Sequence, residues 1–341
     1  MNSRTAIAKW IRTLSIVTAI PLVAASPAAG QTAQSNTTRK VETKKPAPRA
    51  ADGRPDLTGT WNFGTATPLE RPTAFAGKPV LTDQEAATYL NGLAKDGCRI
   101  INCDGSALGR LESAYDGFWF DWGDTLADNR TSLIVDPADG RVPVLTAEAQ
   151  TRVAARQAER KRRGPADGPE DLSVADRCLI GFNAGPPMAP GAYNNVTQVF
   201  QTADYLVIVN EMIHNARIVP LDGRPHLSTN MRQWVGDSRG RWEGDTLVVE
   251  TTNFRRDVPS RSVDPERFRL IERFRRADAA TLHYEYTMED ATTWTKAWTV
   301  RIPMTESAAP PYEYACHEGN YSMFNRLSGA RADEQAAAKG R

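Results

Sequence analysis

RQWVGDSRGRWEGDTLVVETTNF, residues 232–254, decides the fold class. Gly236-Asp237 and Gly244-Asp245 are turn signals, because glycine takes positive φ freely and an aspartate side chain hydrogen-bonds its own backbone. Trp242 leads through the second turn into Thr246–Phe254, whose Val and Thr content reads as a strand. Turn chemistry explains Asp237 and Asp245 without assigning them a reaction. The window is therefore the hairpin that organises an antiparallel sheet, with Arg239 and Trp242 expected at a pocket rim.

Outward from this hairpin the signal is strand and turn. Asp56–Phe63, Val196–Thr202, Tyr205–Leu221, Phe268–Arg275, Thr281–Asp290, Lys296–Met304 and Tyr312–His317 follow with short connections, and hairpin-joined neighbours are the economical topology. The expected fold is mainly β, an antiparallel barrel or sandwich with a few peripheral helices. A helical insertion is expected around residues 82–165. Thr82-Asp83-Gln84-Glu85 is a capping box that starts a helix running to about Lys95, and Ala147–Arg163 is an amphipathic helix stopped by Gly164-Pro165. Thr131–Val144 between them reads as strand, turn, strand. Tyr115–Trp122 concentrates aromatic residues that clamp a loop on the core or wall a cleft, and 185–195 is a loop rich in Gly, Pro and Asn.

The first 30 residues carry basic Arg4, Lys9 and Arg12, an apolar run over Leu14–Ala25 and small residues at a cleavage site, the pattern of a secretory signal. Residues 31–50 have too few large apolar side chains to order themselves and are expected to be a disordered linker, as is the tail 332–341. A single β-rich domain then spans 51–331, periplasmic or secreted. No other stretch has the roughly 20 apolar residues of a spanning helix. With 42 basic and 41 acidic residues the charge is nearly balanced, which argues against a nucleic-acid partner. The expected partner is a small-molecule ligand or substrate. In an exported chain the even set Cys98, Cys103, Cys178 and Cys316 predicts disulfides. Cys98 with Cys103 makes a local staple and leaves Cys178 with Cys316, although three pairings are formally open.

Strand alternation sorts the polar groups. From Tyr205 onward the even positions place Asn210 and His214 on an apolar face, with Arg217 on the opposite, mixed face. The same count puts Glu272, Tyr284, Tyr286 and Asp290 inward. A carboxylate on an apolar face must find a partner or shift its pKa upward. These groups either satisfy one another in a filled core or position a ligand and move a proton. The segment YEYACHEGNY, 312–321, adds His317, Glu318 and Asn320 beside a cysteine that could anchor them.

The expectation that follows is an acid/base lyase, isomerase or hydrolase acting on a small, partly apolar organic molecule. His214 would be base or acid, Glu272 or Asp290 its orienter, and His317 a second proton-transfer group. Arg217, Arg239 or Asn320 would hold developing negative charge. The alternative is a carrier or sensor barrel in which Asn210, Trp242, Tyr284, Tyr286 and Glu318 only bind. The chain carries no nucleophile elbow, zinc helix, phosphate loop or dinucleotide fingerprint, so no cofactor or metal is expected.

PDLTGTW at 55–61, TSLIVDPADGRVP at 131–143, EMIHNARIVPLDGRPHL at 211–227, GDSRGRWEGDTLVVETTNF at 236–254 and YEYACHEGNY at 312–321 together resemble a broad family of exported bacterial proteins. That resemblance covers most of the mature chain and brings no activity with it. The Gly59-Thr60-Trp61 triplet resembles the Gly-x-Trp opening of lipocalin-like (calycin) barrels, which implies a barrel rather than a sandwich.

Overall fold

The computed structural model describes residues 45–95, 121, 123–256 and 263–339. Ten strands occur among them: β1 (Gly59–Asn62), β2 (Ile134–Asp136), β3 (Val196–Gln201), β4 (Tyr205–Asn210), β5 (Ala216–Pro220), β6 (Asp237–Glu243), β7 (Thr246–Thr252), β8 (Arg269–Arg276), β9 (Thr281–Glu289) and β10 (Trp298–Glu306). The helices are α1 (Asp83–Lys95), α2 (Ala147–Arg162) and α3 (Tyr321–Lys339). The ladders between these strands are antiparallel, in the order β5-β4-β3-β1-β10-β9-β8-β7-β6, with β2 attached to β10. The result is a nearly closed barrel of nine strands. The expected β-barrel with few helices is what the chain forms.

Closure between β5 and β6 is made by side chains and loops rather than by a ladder. A Cβ on Gly240 of β6 would lie 2.4 Å from Leu221 Cδ2 and 3.2 Å from Val219 Cγ1. A side chain at this position would displace the end of Leu221 and crowd Val219, so glycine suits the close packing of this edge against β6. The remaining gap is spanned by the loop after β5. Arg239 Nε donates to Pro225 O (3.0 Å), Leu227 N donates to Asp237 Oδ2 (2.9 Å) and Asn253 Nδ2 donates to Leu227 O (3.0 Å).

Inside, alternation fills the barrel with Trp61, Leu206, Val249, Phe274, Tyr284 and Ile302 among others, all buried. Each such side chain contributes about 1.5–3 kcal/mol by leaving water. The Arg276 guanidinium lies over the Trp61 ring, 4.3 Å from its centroid, and donates to the carbonyls of Asp56, Thr58, Asp278 and Ala279. This cation on an aromatic face ties the chain entering β1 to the end of β8. Met188, carried on the 185–195 loop, joins the same interior cluster.

Both predicted helices form. Thr82 accepts from Glu85 N and Glu85 Oε2 accepts from Thr82 N, the reciprocal capping box, while Thr146 caps α2. Three expectations need correction. Thr131–Val144 contributes only the three-residue β2. Tyr312–His317 is irregular backbone, and residues 332–339, expected as disordered tail, continue α3. Ala, Glu, Gln and Lys are strong helix formers, and an Arg331–Glu334 pair one turn apart supports them. Cys98, Cys103 and most of Tyr115–Trp122 lie outside the described residues, as do the signal and all but the last six residues of the linker. Among the described residues no helix is long and apolar enough to cross a membrane.

Candidate functional site

The expected single strand Tyr205–Leu221 is β4 and β5 separated by a 3-10 turn at Met212–His214. That turn changes the side-chain phase. Leu206, Ile208 and Asn210 point inward along β4, but along β5 the inward set is Arg217 and Val219. Arg217, expected on the mixed outer face, is thus buried in the barrel, and His214, expected inward, is exposed.

Arg217 meets Glu272 on the far wall. Its Nη2 donates to Glu272 Oε1 (2.9 Å) and its Nη1 to Oε2, while Tyr284 Oη donates to Oε1 at 2.7 Å. Met188 N in turn donates to Tyr284 Oη (3.1 Å). Glu272 and Tyr284 are wholly buried and Arg217 nearly so. Burial alone would push the Arg217 guanidinium down, but the charge and hydrogen bonds of Glu272 more than offset it and raise its pKa. Burial, reinforced by the Glu272 charge, lifts the Tyr284 phenol far above its ordinary value, so it remains a donor. Arg217, Glu272 and Tyr284 therefore satisfy one another, and Glu272 is paired inside the barrel rather than with the exposed His214. Tyr286, beside them, is buried between the rings of Tyr284 and Trp298, 5.8 and 6.3 Å away, and burial raises its pKa.

Asp290 closes a turn. It accepts from the amides of Asp264 and Thr292 (both 2.9 Å), from Thr292 Oγ1 (2.7 Å) and from Thr293 Oγ1. Burial pushes this carboxyl up, yet those donors outweigh it and hold the pKa below the ordinary carboxylate value. Such a group contributes stability above its unfolded pKa, about 4, and that stability is lost as pH falls through the depressed native value. The stability gap between the wild type and Asp290→Asn, read from urea unfolding, should accordingly shrink from pH 7 toward about pH 2. A gap independent of pH would show that the carboxylate charge is not what the turn uses.

Three segments converge on a second, smaller apolar cluster, in which Ala184, Met212 and Ile213 pack with Tyr193, Tyr314 and Cys316. The Cys178–Cys316 disulfide joins two of them. Asn320 Nδ2 adds a bond to Asp176 O (2.8 Å), so Asn320 ties the segments together rather than facing a ligand. The turn after β4 clamps the third. Tyr312 N donates to the buried Glu211 Oε1 (3.1 Å), and His214 Nδ1 lies 3.2 Å from Tyr314 O. A carbonyl can only accept, so Nδ1 carries a proton and Nε2 holds the lone pair of the neutral ring. The expected orienter, Glu272 or Asp290, is replaced by this backbone carbonyl.

The backbone under His214 is unusual. Ile213 (φ 59°) and His214 (φ 41°) are both in the left-handed region, where a β-branched residue is rare and strained. The Tyr193 and Tyr314 rings stack beside them at 6.4 Å and 12°, with Phe182 edge-on to Tyr193 and half exposed. Asn210 Nδ2 donates to Ala184 O (2.8 Å), and its buried Oδ1 has no partner among the described residues. His317 and Glu318 are exposed on the segment that follows Tyr314.

Arg239 and Trp242 part company. Trp242 is half buried against the barrel core, with Arg54 over its ring at 5.7 Å. Arg239 donates to Asp237 Oδ1 (2.6 Å) in a group the spacing of the histidines did not reveal. There His226 Nδ1 lies 2.9 Å from the buried Asp237 Oδ2 and Nε2 lies 3.8 Å from Glu250 Oε1. A histidine eleven residues before a turn aspartate is no motif; the only hint was that this loop had to cross the barrel's seam. Among the described residues no three His, Cys, Asp or Glu side chains are placed to hold a metal ion. No family model, curated protein or solved structure matches the chain.

Proposed function

We propose that this is an exported acid/base enzyme, of lyase, isomerase or hydrolase type, acting on a small, partly apolar organic molecule held at the disulfide-tied lobe. The carrying observation is the His214 imidazole. It projects from a strained left-handed backbone, and the Tyr314 carbonyl fixes its Nδ1 proton so that Nε2 is the basic nitrogen. Strain of about 1–3 kcal/mol per residue persists only where surrounding structure over-determines it, and such residues cluster at sites that work. The Tyr193–Tyr314 stack supports an apolar or aromatic substrate. His317, on the same anchored segment, is the candidate for the second proton transfer. Export is supported by the disulfide, since such bonds persist in oxidising compartments.

The test starts from molecules that co-purify with the full chain from its native host, identified by mass spectrometry. The wild type should convert one of them, and His214→Asn should lower kcat by about 10²–10⁴-fold, the usual worth of a positioned proton-transfer group. Turnover unchanged in His214→Asn removes the histidine from the reaction. A ligand bound tightly but returned chemically unaltered favours the carrier reading, in which the tyrosines of the lobe only orient it.

A further inference from the structure

We propose that the outer wall formed by β8, β9 and β10 carries a binding site for a compact dianion, a group with the charge of phosphate or of a short dicarboxylate. This wall shares no residue with the His214 lobe. Arg273, Glu285 and Arg301 lie side by side across the three strands, and Arg275 and His283 form the next row on the same face. Together with Asp128 and Thr246 they line a groove of about 260 Å³.

Charge counting gives the ligand class. Glu285 is taken by Arg301, which donates to its Oε2 from Nε (3.0 Å) and Nη2 (2.9 Å). Asp128 faces Arg130 at 3.7 Å. Arg275 Nη2 lies 2.9 Å from His283 Nδ1, and an imidazole brings no negative charge to offset a guanidinium. Two positive charges, those of Arg273 and Arg275, are left without a carboxylate among the described residues. Residues two apart on one strand face sit about 7 Å from each other, close enough for one dianion to bridge both forks. Arg273 is half buried, with Val248 on one side and the already engaged Glu285 on the other, so it cannot turn to a neighbour for compensation.

The experiment is calorimetric titration of the full mature chain, in buffer of low ionic strength, with inorganic phosphate, succinate and acetate in turn. Saturable binding of one phosphate or one succinate is expected, with acetate at least about ten-fold weaker because it can pair with only one of the two charges. Phosphate tighter than succinate would place the ligand among phosphomonoesters, and the reverse among dicarboxylates. Arg273→Met combined with Arg275→Met should weaken the dianion by about ten-fold or more, whereas Arg241→Met, on β6 beyond the groove, should not. Both changed arginines are on the outer wall, and an unchanged melting curve for the variant confirms that the barrel is intact. Should that variant unfold, Arg275→Met alone, at an exposed position, carries the same prediction. Equal affinity for acetate and phosphate, no saturation by about 10 mM of either dianion, or unchanged binding in the arginine variants would overturn the proposal.

Discussion

Arg217→Met is expected to lower the unfolding free energy by about 3–5 kcal/mol. Among the described residues the guanidinium is the only cation paired with Glu272, whose carboxylate is sealed among apolar side chains and a phenol. Methionine keeps most of the volume but supplies neither charge nor donors, and an uncompensated buried carboxylate is far costlier than the pair is worth. For the same reason the double variant Arg217→Met with Glu272→Leu should recover most of the loss. What it does not recover, about 1–2 kcal/mol, is the Tyr284 hydroxyl left without its acceptor. Urea unfolding of the three proteins side by side checks this. A single variant within about 1 kcal/mol of wild type, or a double variant no better than the single, would show that Glu272 finds another partner.

The same pair explains what could be read in advance. Along β8 and β9 the chain is regular, so counting by twos put Glu272, Tyr284 and Tyr286 inside, where they are. Along Tyr205–Leu221 counting by twos failed at one place. Ile213 and His214 adopt left-handed φ, the phase slips, and Arg217 exchanges faces with His214. Nothing in MIHN announces such a slip, because neither glycine nor proline is present. Without it, the carboxylate looked as though its partner were a histidine on the same face, when in fact it was an arginine 55 residues away. The His226–Asp237 contact was hidden for a related reason. It depends on how β5 and β6 meet at the seam of the barrel, and a seam closed by loops leaves no periodic trace. Hairpins, capping boxes and strand identities depend on neighbours in sequence and were legible; the site depends on partners far apart and was only partly so.

Replacement of Cys178 and Cys316 by serine is the second large effect expected, a loss of about 2–5 kcal/mol, because the bond removes much of the freedom of a long unfolded loop. The cysteines are separated by 138 residues, and the loop they close includes β3 to β10. The consequence for the lobe is more specific than the loss of stability. Tyr314 lies two residues before Cys316, and its carbonyl is the group that fixes the His214 tautomer. With the disulfide gone, the 312–320 segment is held to the turn by the Glu211–Tyr312 contact, and to residues 176–178 by Asn320. The nitrogen resonances of His214 should then shift from those of a single Nδ1–H form toward the average of two tautomers, and any turnover assigned to His214 should fall with them. Reductant added to the wild type should reproduce both changes. If the melting point and the imidazole signals are the same with and without reductant, the covalent anchor does not organise the histidine, and the non-covalent contacts of the segment, those of Glu211 and Asn320 among them, suffice to hold it in place.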